Sequence, residues 1–310
     1  MSGQIPIAPE TARIGWVGTG VMGGAIAANL IRSGWRLTVT SRTRSKAEPL
    51  LALGADWAES PKKIAETADV VFTMVGFPSE LEAVVFGDNG ILAGFAVSKQ
   101  AKRRALVDMT TSRPALARKI FQAAQALGVE ALDAPVSGSD TGAKNGTLSI
   151  MIGGQAETVE WLRPLFESIG KTIVHQGEAG AGQHTKMVNQ ILIAGNMAGM
   201  CEALLYARQN GLDTEKVLES VEKGAAGSWS LSNLAPRILR GDFAPGFFVE
   251  HFIKDMGIAL EDAEASGLTL SILPLVRAIY QELQKDGGGR DGTQALIRAV
   301  AKRSHIDWDA

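Results

Sequence analysis

Hydrophobic and polar positions in the first half of the chain follow two periods in turn. Short apolar runs of strand type lie at 14–17, 36–41, 69–75, 105–110, 129–137, 148–154 and 172–177. Between most of them, apolar residues recur with helical spacing, as at 114–127 and 156–169. The run at 36–41 alternates with period two, whereas 69–75 is apolar almost throughout, the pattern of a strand buried on both faces. Such strand–helix alternation predicts a largely parallel sheet covered by helices on both sides. Beyond residue 182 the strand pattern stops. Segments 183–210, 214–223, 231–239, 252–266, 274–286 and 293–303 all have helical spacing, and the first is long and rich in small residues. The expected class is α/β followed by an all-α part, with a long helix between and the boundary in the glycine-rich stretch 177–182.

The run at 14–17 opens directly into Gly18, Gly20 and Gly23, spaced G-x-G-x-x-G, and a small-residue apolar helix follows at 25–31. Each glycine meets a different need. Gly18 permits the tight turn out of the strand, Gly20 has no side chain to hold the backbone off a pyrophosphate, and Gly23 lets helix and strand pack closely. In this strand–turn–helix context the motif is a dinucleotide signature, with Gly18, Gly20, Val21, Met22 and Gly23 at the phosphates. Residues 1–177 are thereby expected to form an NAD(P)-binding domain of Rossmann type, and 178–310 an all-helical substrate and dimerisation domain. About 20 residues beyond the motif, an acidic side chain would accept from a free ribose 2′-hydroxyl. The chain has Thr40, Ser41, Arg42 and Thr43 there, then Arg44. Hydroxyls beside a guanidinium suit a phosphate monoester, so Ser41, Arg42 and Thr43 point to NADP ahead of NAD. Met74 and Val75 end one central strand and Thr110 and Thr111 follow the next, positions that border a nucleotide in an open α/β sheet.

Composition narrows the function classes. A chain of 310 residues suits two domains and a substantial core. Net charge is −2 and evenly spread, which offers no electrostatic grip on nucleic acid or an anionic membrane. The densest basic cluster, Lys99, Lys102, Arg103 and Arg104, reads as a solvated helix end. No apolar run approaches the ~18 residues of a membrane span, and the N-terminus lacks a signal-peptide pattern. The lone cysteine, Cys201, sits in an apolar helical stretch as a small hydrophobe and fits a reducing compartment, so a cytoplasmic protein is expected. His175, His184, His251 and His305 are dispersed without ligand spacing, so no metal site is expected.

Four further segments fall in order after the glycine motif: DMTTSRP at 108–114, DAPVSGSDTGAKNGTL at 133–148, GAGQHTKMVNQ at 180–190 and FIKDM at 252–256. With them the chain resembles the β-hydroxyacid dehydrogenase family, which includes 3-hydroxyisobutyrate, tartronate semialdehyde and 6-phosphogluconate dehydrogenases together with glyoxylate and succinic semialdehyde reductases. The resemblance runs from residue 14 to the GGGRDGTQAL segment ending at residue 296. Lys186 stands near the start of the long helix, with Asn189 and Gln190 at i+3 and i+4 on the same face. Hydride transfer between a hydroxyl and a nicotinamide needs a group that removes or returns the alcohol proton, and a lysine serves near neutral pH where burial and neighbouring positive charge favour its neutral form.

The resemblance assigns that acid/base role to Lys186 and substrate orientation to Asn189. It puts the substrate's carboxylate at Ser137, Gly138 and Ser139, a strand end in a Gly- and Ser-rich turn, and Thr111 near the nicotinamide ribose. It also implies that Lys254 reaches the cofactor, that Asp255 supports the site, and that Phe247 walls the substrate pocket, the site lying between two domains. A homodimer or homotetramer is expected, the small-residue helix packing closely against neighbours. Two departures concern the substrate: Ser139 stands where Gly is frequent after Ser-Gly, and Gln190 replaces a frequent second Asn. The expected activity is NADP-linked interconversion of a small β-hydroxyacid and its semialdehyde. An imine reductase of the same architecture is the nearest alternative, and Lys186 counts against it, since those enzymes commonly carry another residue there. An empty lysine position or a broken glycine loop would favour a non-catalytic nucleotide-binding module, and neither is seen; the chain length disfavours 6-phosphogluconate dehydrogenase, whose helical domain is considerably larger.

Overall fold

A computed structural model of the chain describes residues 6–98 and 102–309. They fall into two compact units that meet between Lys186 and Met187. The first unit holds β1 (Arg13–Val17), α1 (Val21–Arg32), β2 (Arg36–Thr40), α2 (Glu48–Ala52), β3 (Asp56–Trp57), α3 (Pro61–Ala65), β4 (Val70–Thr73), α4 (Pro78–Phe86) and α5 (Ile91–Val97). It continues with β5 (Ala105–Asp108), α6 (Pro114–Gln125), β6 (Glu130–Asp133), β7 (Val136–Ser137), α7 (Ser139–Asn145), β8 (Leu148–Gly153), α8 (Ala156–Glu167) and β9 (Gly170–Gly177). The strand order is β3-β2-β1-β4-β5-β6-β8-β7, with β9 also on β8. From β3 to β6 every pairing is parallel. Period-two burial explains the sandwiching: Val70 and Phe72 of β4 enter one core, while Val71 between them enters the core on the other face. Trp16 stacks on Phe72 at 5.4 Å, and both are fully buried.

The strand expected at 129–137 is two strands. β6 runs parallel to β5 and meets β8 antiparallel at Asp133–Gly153, β7 continues antiparallel on β8 in the same register, and Pro135 between them accepts the Met151 N–H but has no amide to return the bond. The turn expected at 137–139 is the end of β7 and the start of a helix, with Gly138 at φ +137° and Ser139 at φ +56°. Lys99 lies outside the described residues. Arg103 and Arg104 are not a solvated helix end: Arg103 is paired with Glu130 and lies over the Trp161 ring, and Arg104 donates to the carbonyls of Phe95 and Leu127.

The second unit is helical. It comprises most of α9 (Ala181–Gln209) and then α10 (Thr214–Val221), α11 (Trp229–Leu239), α12 (Val249–Ala265), α13 (Leu273–Lys285) and α14 (Leu296–Arg303). Its core gathers Met197, Cys201, Phe252 and Tyr280, the last two in edge contact at 5.1 Å. Burial pushes the Cys201 thiol well above its ordinary range, as befits a residue acting as a small hydrophobe. The division falls inside α9 for a physical reason. Gly182 lies so close to the sheet that a Cβ would stand 2.4 Å from the Met151 carbonyl oxygen, and Gln183 bonds to the loop after β5. Among the described residues, no helix is long and apolar enough to cross a membrane.

Candidate active site

Four strand ends converge on the glycine motif. Gly18 takes φ +101°, and a Cβ there would lie 2.2 Å from the Met74 carbonyl oxygen, so the turn out of β1 needs glycine on two counts. A Cβ on Gly23 would lie 2.2 Å from the Gly18 carbonyl oxygen, while one on Gly20 would meet nothing within 4 Å. Gly20 thus fronts open space at the N-terminus of α1, which has no side-chain cap and no acidic residue in its first turn. That arrangement fits a pyrophosphate. Gly18 N–H donates to Thr40 of β2, Met74 N–H to Val17 of β1, and Val75 N–H to the Thr110 hydroxyl at 3.1 Å. Gly18, Thr40, Met74, Val75 and Thr110 therefore form one bonded rim at the carboxyl ends of β1, β2, β4 and β5. Val21 is exposed on α1, Met22 is half-buried, and Thr111 is half-buried beside Thr110.

Beyond β2, Ser41 is half-buried and Arg42 and Thr43 are exposed. The Arg42 side chain, 84% exposed, pairs with Glu80 of α4 at 2.6 Å, and the other Glu80 oxygen accepts the Gly76 N–H at 2.9 Å. The segment around Arg42 has no acid of its own, so this carboxylate comes from a different strand end.

Two carboxyls lie side by side where β5 and β6 end, in the paired register Asp108–Asp133. Asp108 accepts the Thr73 hydroxyl at 2.7 Å and the Thr110 N–H at 3.0 Å. Burial nevertheless raises its pKa to about 7, against those two bonds and with a smaller push from Asp133. Asp133 is likewise raised by burial, and it accepts the N–H groups of Gly180 and Gln183 at 2.7 and 2.8 Å. It thereby caps the start of α9. Gln183 in turn donates to the Thr110 carbonyl at 2.7 Å and accepts the Ser112 N–H at 2.9 Å. One turn further along α9, Lys186 is 7% exposed, and its Nζ donates to the Val136 carbonyl at 2.9 Å. Val136 directly precedes Ser137, so the ammonium lies beside the Ser137–Gly138 strand end.

In the helical unit, Asn189 Nδ2 donates to Gln190 Oε1 at 2.7 Å, and Gln190 Nε2 donates to Asp255 Oδ2 at 2.7 Å. Asp255 is buried, and Lys254 Nζ approaches its Oδ1 at 2.8 Å. Asn189, Gln190, Asp255 and Lys254 thus form one chain of charged and amide groups, with the Lys254–Asp255 pair buried and not on the surface. Phe247 is half-buried against Phe252 and stacks on His251, whose pKa burial lowers. Of the other histidines described, His175 bonds to the Gly154 carbonyl and His184 approaches Arg118.

A family model described as the NAD binding domain of 6-phosphogluconate dehydrogenase matches residues 13–177. A second, for the NAD-binding part of NADP-dependent 3-hydroxyisobutyrate dehydrogenase, matches residues 180–300. The chain belongs to the β-hydroxyacid dehydrogenase family. Among its relatives is a probable 3-hydroxyisobutyrate dehydrogenase-like protein 1 of Arabidopsis thaliana, 46% identical, with 97% of this chain and 88% of that protein covered. The 2-hydroxy-3-oxopropionate reductase of Escherichia coli is 36% identical, with 93% and 97% covered. A 3-hydroxyisobutyrate dehydrogenase crystal structure from Salmonella typhimurium superposes with TM-score 0.82 at 26% identity, over 93% of this chain and 99% of that one. This β-hydroxyacid dehydrogenase is therefore an NAD(P)-dependent enzyme acting on CH–OH groups.

Three groups of this enzyme escape a reading by motif. Glu80 lies far along the chain from Arg42, which it meets only through the order of β2, β1 and β4. Asp133 and Gln183 lie inside quoted motifs, yet only the fold gives them a shared task at the start of α9.

Proposed function

We propose that the enzyme interconverts a small β-hydroxyacid and its semialdehyde, with NADP(H) preferred and Lys186 as the proton carrier. The observation that carries this reading is the buried Lys186 ammonium held at the Val136 carbonyl, next to Ser137. A bound nicotinamide supplies or accepts the hydride. Lys186 returns the proton to the carbonyl oxygen during reduction and removes it from the hydroxyl during oxidation. Asn189, oriented through Gln190 by Asp255, fixes the substrate oxygen. The amides and hydroxyls of Ser137, Gly138 and Ser139 hold the carboxylate. Phe247 walls the pocket, Asp255 supports the substrate side, and Lys254 and Thr111 contact the cofactor. The glycine loop takes the pyrophosphate, and Ser41, Arg42 and Thr43 take the 2′-phosphate. Residues 1–177 carry the nucleotide, 178–310 complete the substrate site, and the working form is a cytoplasmic homodimer or homotetramer.

The E. coli relative's name, a reductase of a three-carbon semialdehyde acid, supports a substrate of this kind. Initial rates with glyoxylate, succinic semialdehyde, tartronate semialdehyde and 3-hydroxyisobutyrate, each with NADP(H) and NAD(H), test the reading. At least one of these acids should turn over, with kcat/KM higher for the phosphorylated cofactor by roughly 10-fold or more, the scale of one charge-assisted contact. Turnover of none, or equal use of both cofactors by the best substrate, would refute the corresponding half.

A further inference from the structure

The Arg42–Glu80 pair joins the segment after β2 to the helix after β4, and β1 lies between those strands. The pair therefore reaches across the carboxyl end of β1, where the glycine loop begins. Glu80 uses both carboxylate oxygens, one on Arg42 at 2.6 Å and the other on the Gly76 amide at 2.9 Å. The hydrogen bond donated by the Gly76 N–H tethers Glu80 to backbone, so it cannot follow the guanidinium elsewhere. Its side chain is 23% exposed, against 84% for Arg42, so the arginine is the partner with freedom to move.

We propose that Glu80 is a specificity-determining residue: it competes with the cofactor's 2′-phosphate for Arg42 and so limits the preference for NADP over NAD. This inference rests on the reading of Arg42 as the 2′-phosphate contact. A 2′-phosphate must either draw Arg42 away from Glu80 or share it, and sharing brings a phosphate dianion near a carboxylate. A free 2′-hydroxyl makes no claim on the guanidinium charge, and the pair stays closed beside it. No acid stands from Thr40 to Arg44, so the carboxylate that tunes the choice is supplied by α4. The competition is modest because the arginine is solvated, and its full removal is worth about two- to fivefold in affinity.

Binding of NADPH and NADH to the full chain, followed by nicotinamide fluorescence, tests this with E80Q, R42A and the double variant. Glutamine keeps an oxygen for the Gly76 amide while discarding the charge. E80Q should tighten NADPH about two- to fivefold, leave NADH within about 1.5-fold, and have no effect on NADPH once Arg42 is alanine. E80A, which also gives up the Gly76 bond, should give the same NADPH-only gain and serves if E80Q folds poorly. An unchanged NADPH affinity, an equal gain for both cofactors, or a gain that persists without Arg42 would overturn the competition. R42A alone addresses the underlying reading, since equal losses for NADPH and NADH would remove Arg42 from the 2′-phosphate whatever E80Q does.

Discussion

At the scale of single residues, Asp108 shows how the fold sets chemistry that the side chain alone does not have. Its carboxyl accepts from Thr73 and Thr110, lies in register with Asp133, and is raised by burial to about 7. Below an aspartate's ordinary pKa of 3.8 both folded and unfolded chains hold this proton, and between there and about 7 only the folded chain does. The stability it contributes is therefore complete at low pH and is lost as pH rises through about 7. Each pKa unit corresponds to ~1.4 kcal/mol, so the loss is on the order of a few kcal/mol. Replacing Asp108 by Asn keeps an acceptor for Thr73 and Thr110 and removes the titration. Denaturant unfolding at a series of pH values should show wild-type stability falling relative to this variant from about pH 4 to about pH 7 and levelling off above that. Parallel curves would mean that Asp108 stays ionised in the fold. The motif 108–114 advertises a conspicuous aspartate, but only the register of β5 and β6 reveals its acid neighbour. For the same reason Glu80 is silent in the sequence, while Lys186 is legible because a run of neighbours marks it.

At the scale of elements, β1, the glycine loop and α1 divide their labour among three glycines. A Cβ on Gly23 would be driven into the Gly18 carbonyl oxygen, whereas one on Gly20 would stand in open space. Gly23→Ala should accordingly cost about 1–3 kcal/mol of stability and also weaken NADPH, while Gly20→Ala should weaken NADPH with little change in thermal midpoint. Paired thermal melts and NADPH titrations separate the two, and a comparable loss of stability in both variants would contradict the division. The long periodic elements were legible: the helices at 114–127 and 156–169 appear as α6 and α8, and the long helical pattern at 183–210 as α9. Short ones were not. α3 has five residues and β3 two, too few for a period to repeat. α7 hides in what looks like a turn, because Gly138 and Ser139 take positive φ before a helix of seven residues. Pro135 splits a run whose hydrophobicity alone predicts one strand.

At the scale of the whole molecule, the chain carries two separately packed units, and the candidate chemistry is written in both. The sheet unit holds the glycine loop, the Arg42–Glu80 pair, the Asp108–Asp133 pair and Lys186. The helical unit holds Asn189, Gln190, Lys254 and Asp255. The change from strand to helix pattern near residue 182 made this organisation readable from composition and period. The division within α9 was not readable, because it depends on Gly182 packing closely on the sheet and on Gln183 and Lys186 being hydrogen-bonded within the sheet unit. The central claim is that Lys186 carries the proton in a hydride-transfer reaction. Its most direct test is kcat for Lys186→Ala, measured with the best semialdehyde acid of the wild-type enzyme and set beside the NADPH dissociation constant. The account predicts a kcat lower by about 100-fold or more, with NADPH affinity within about twofold of wild type. A kcat that falls by less than about threefold while NADPH still binds would contradict it.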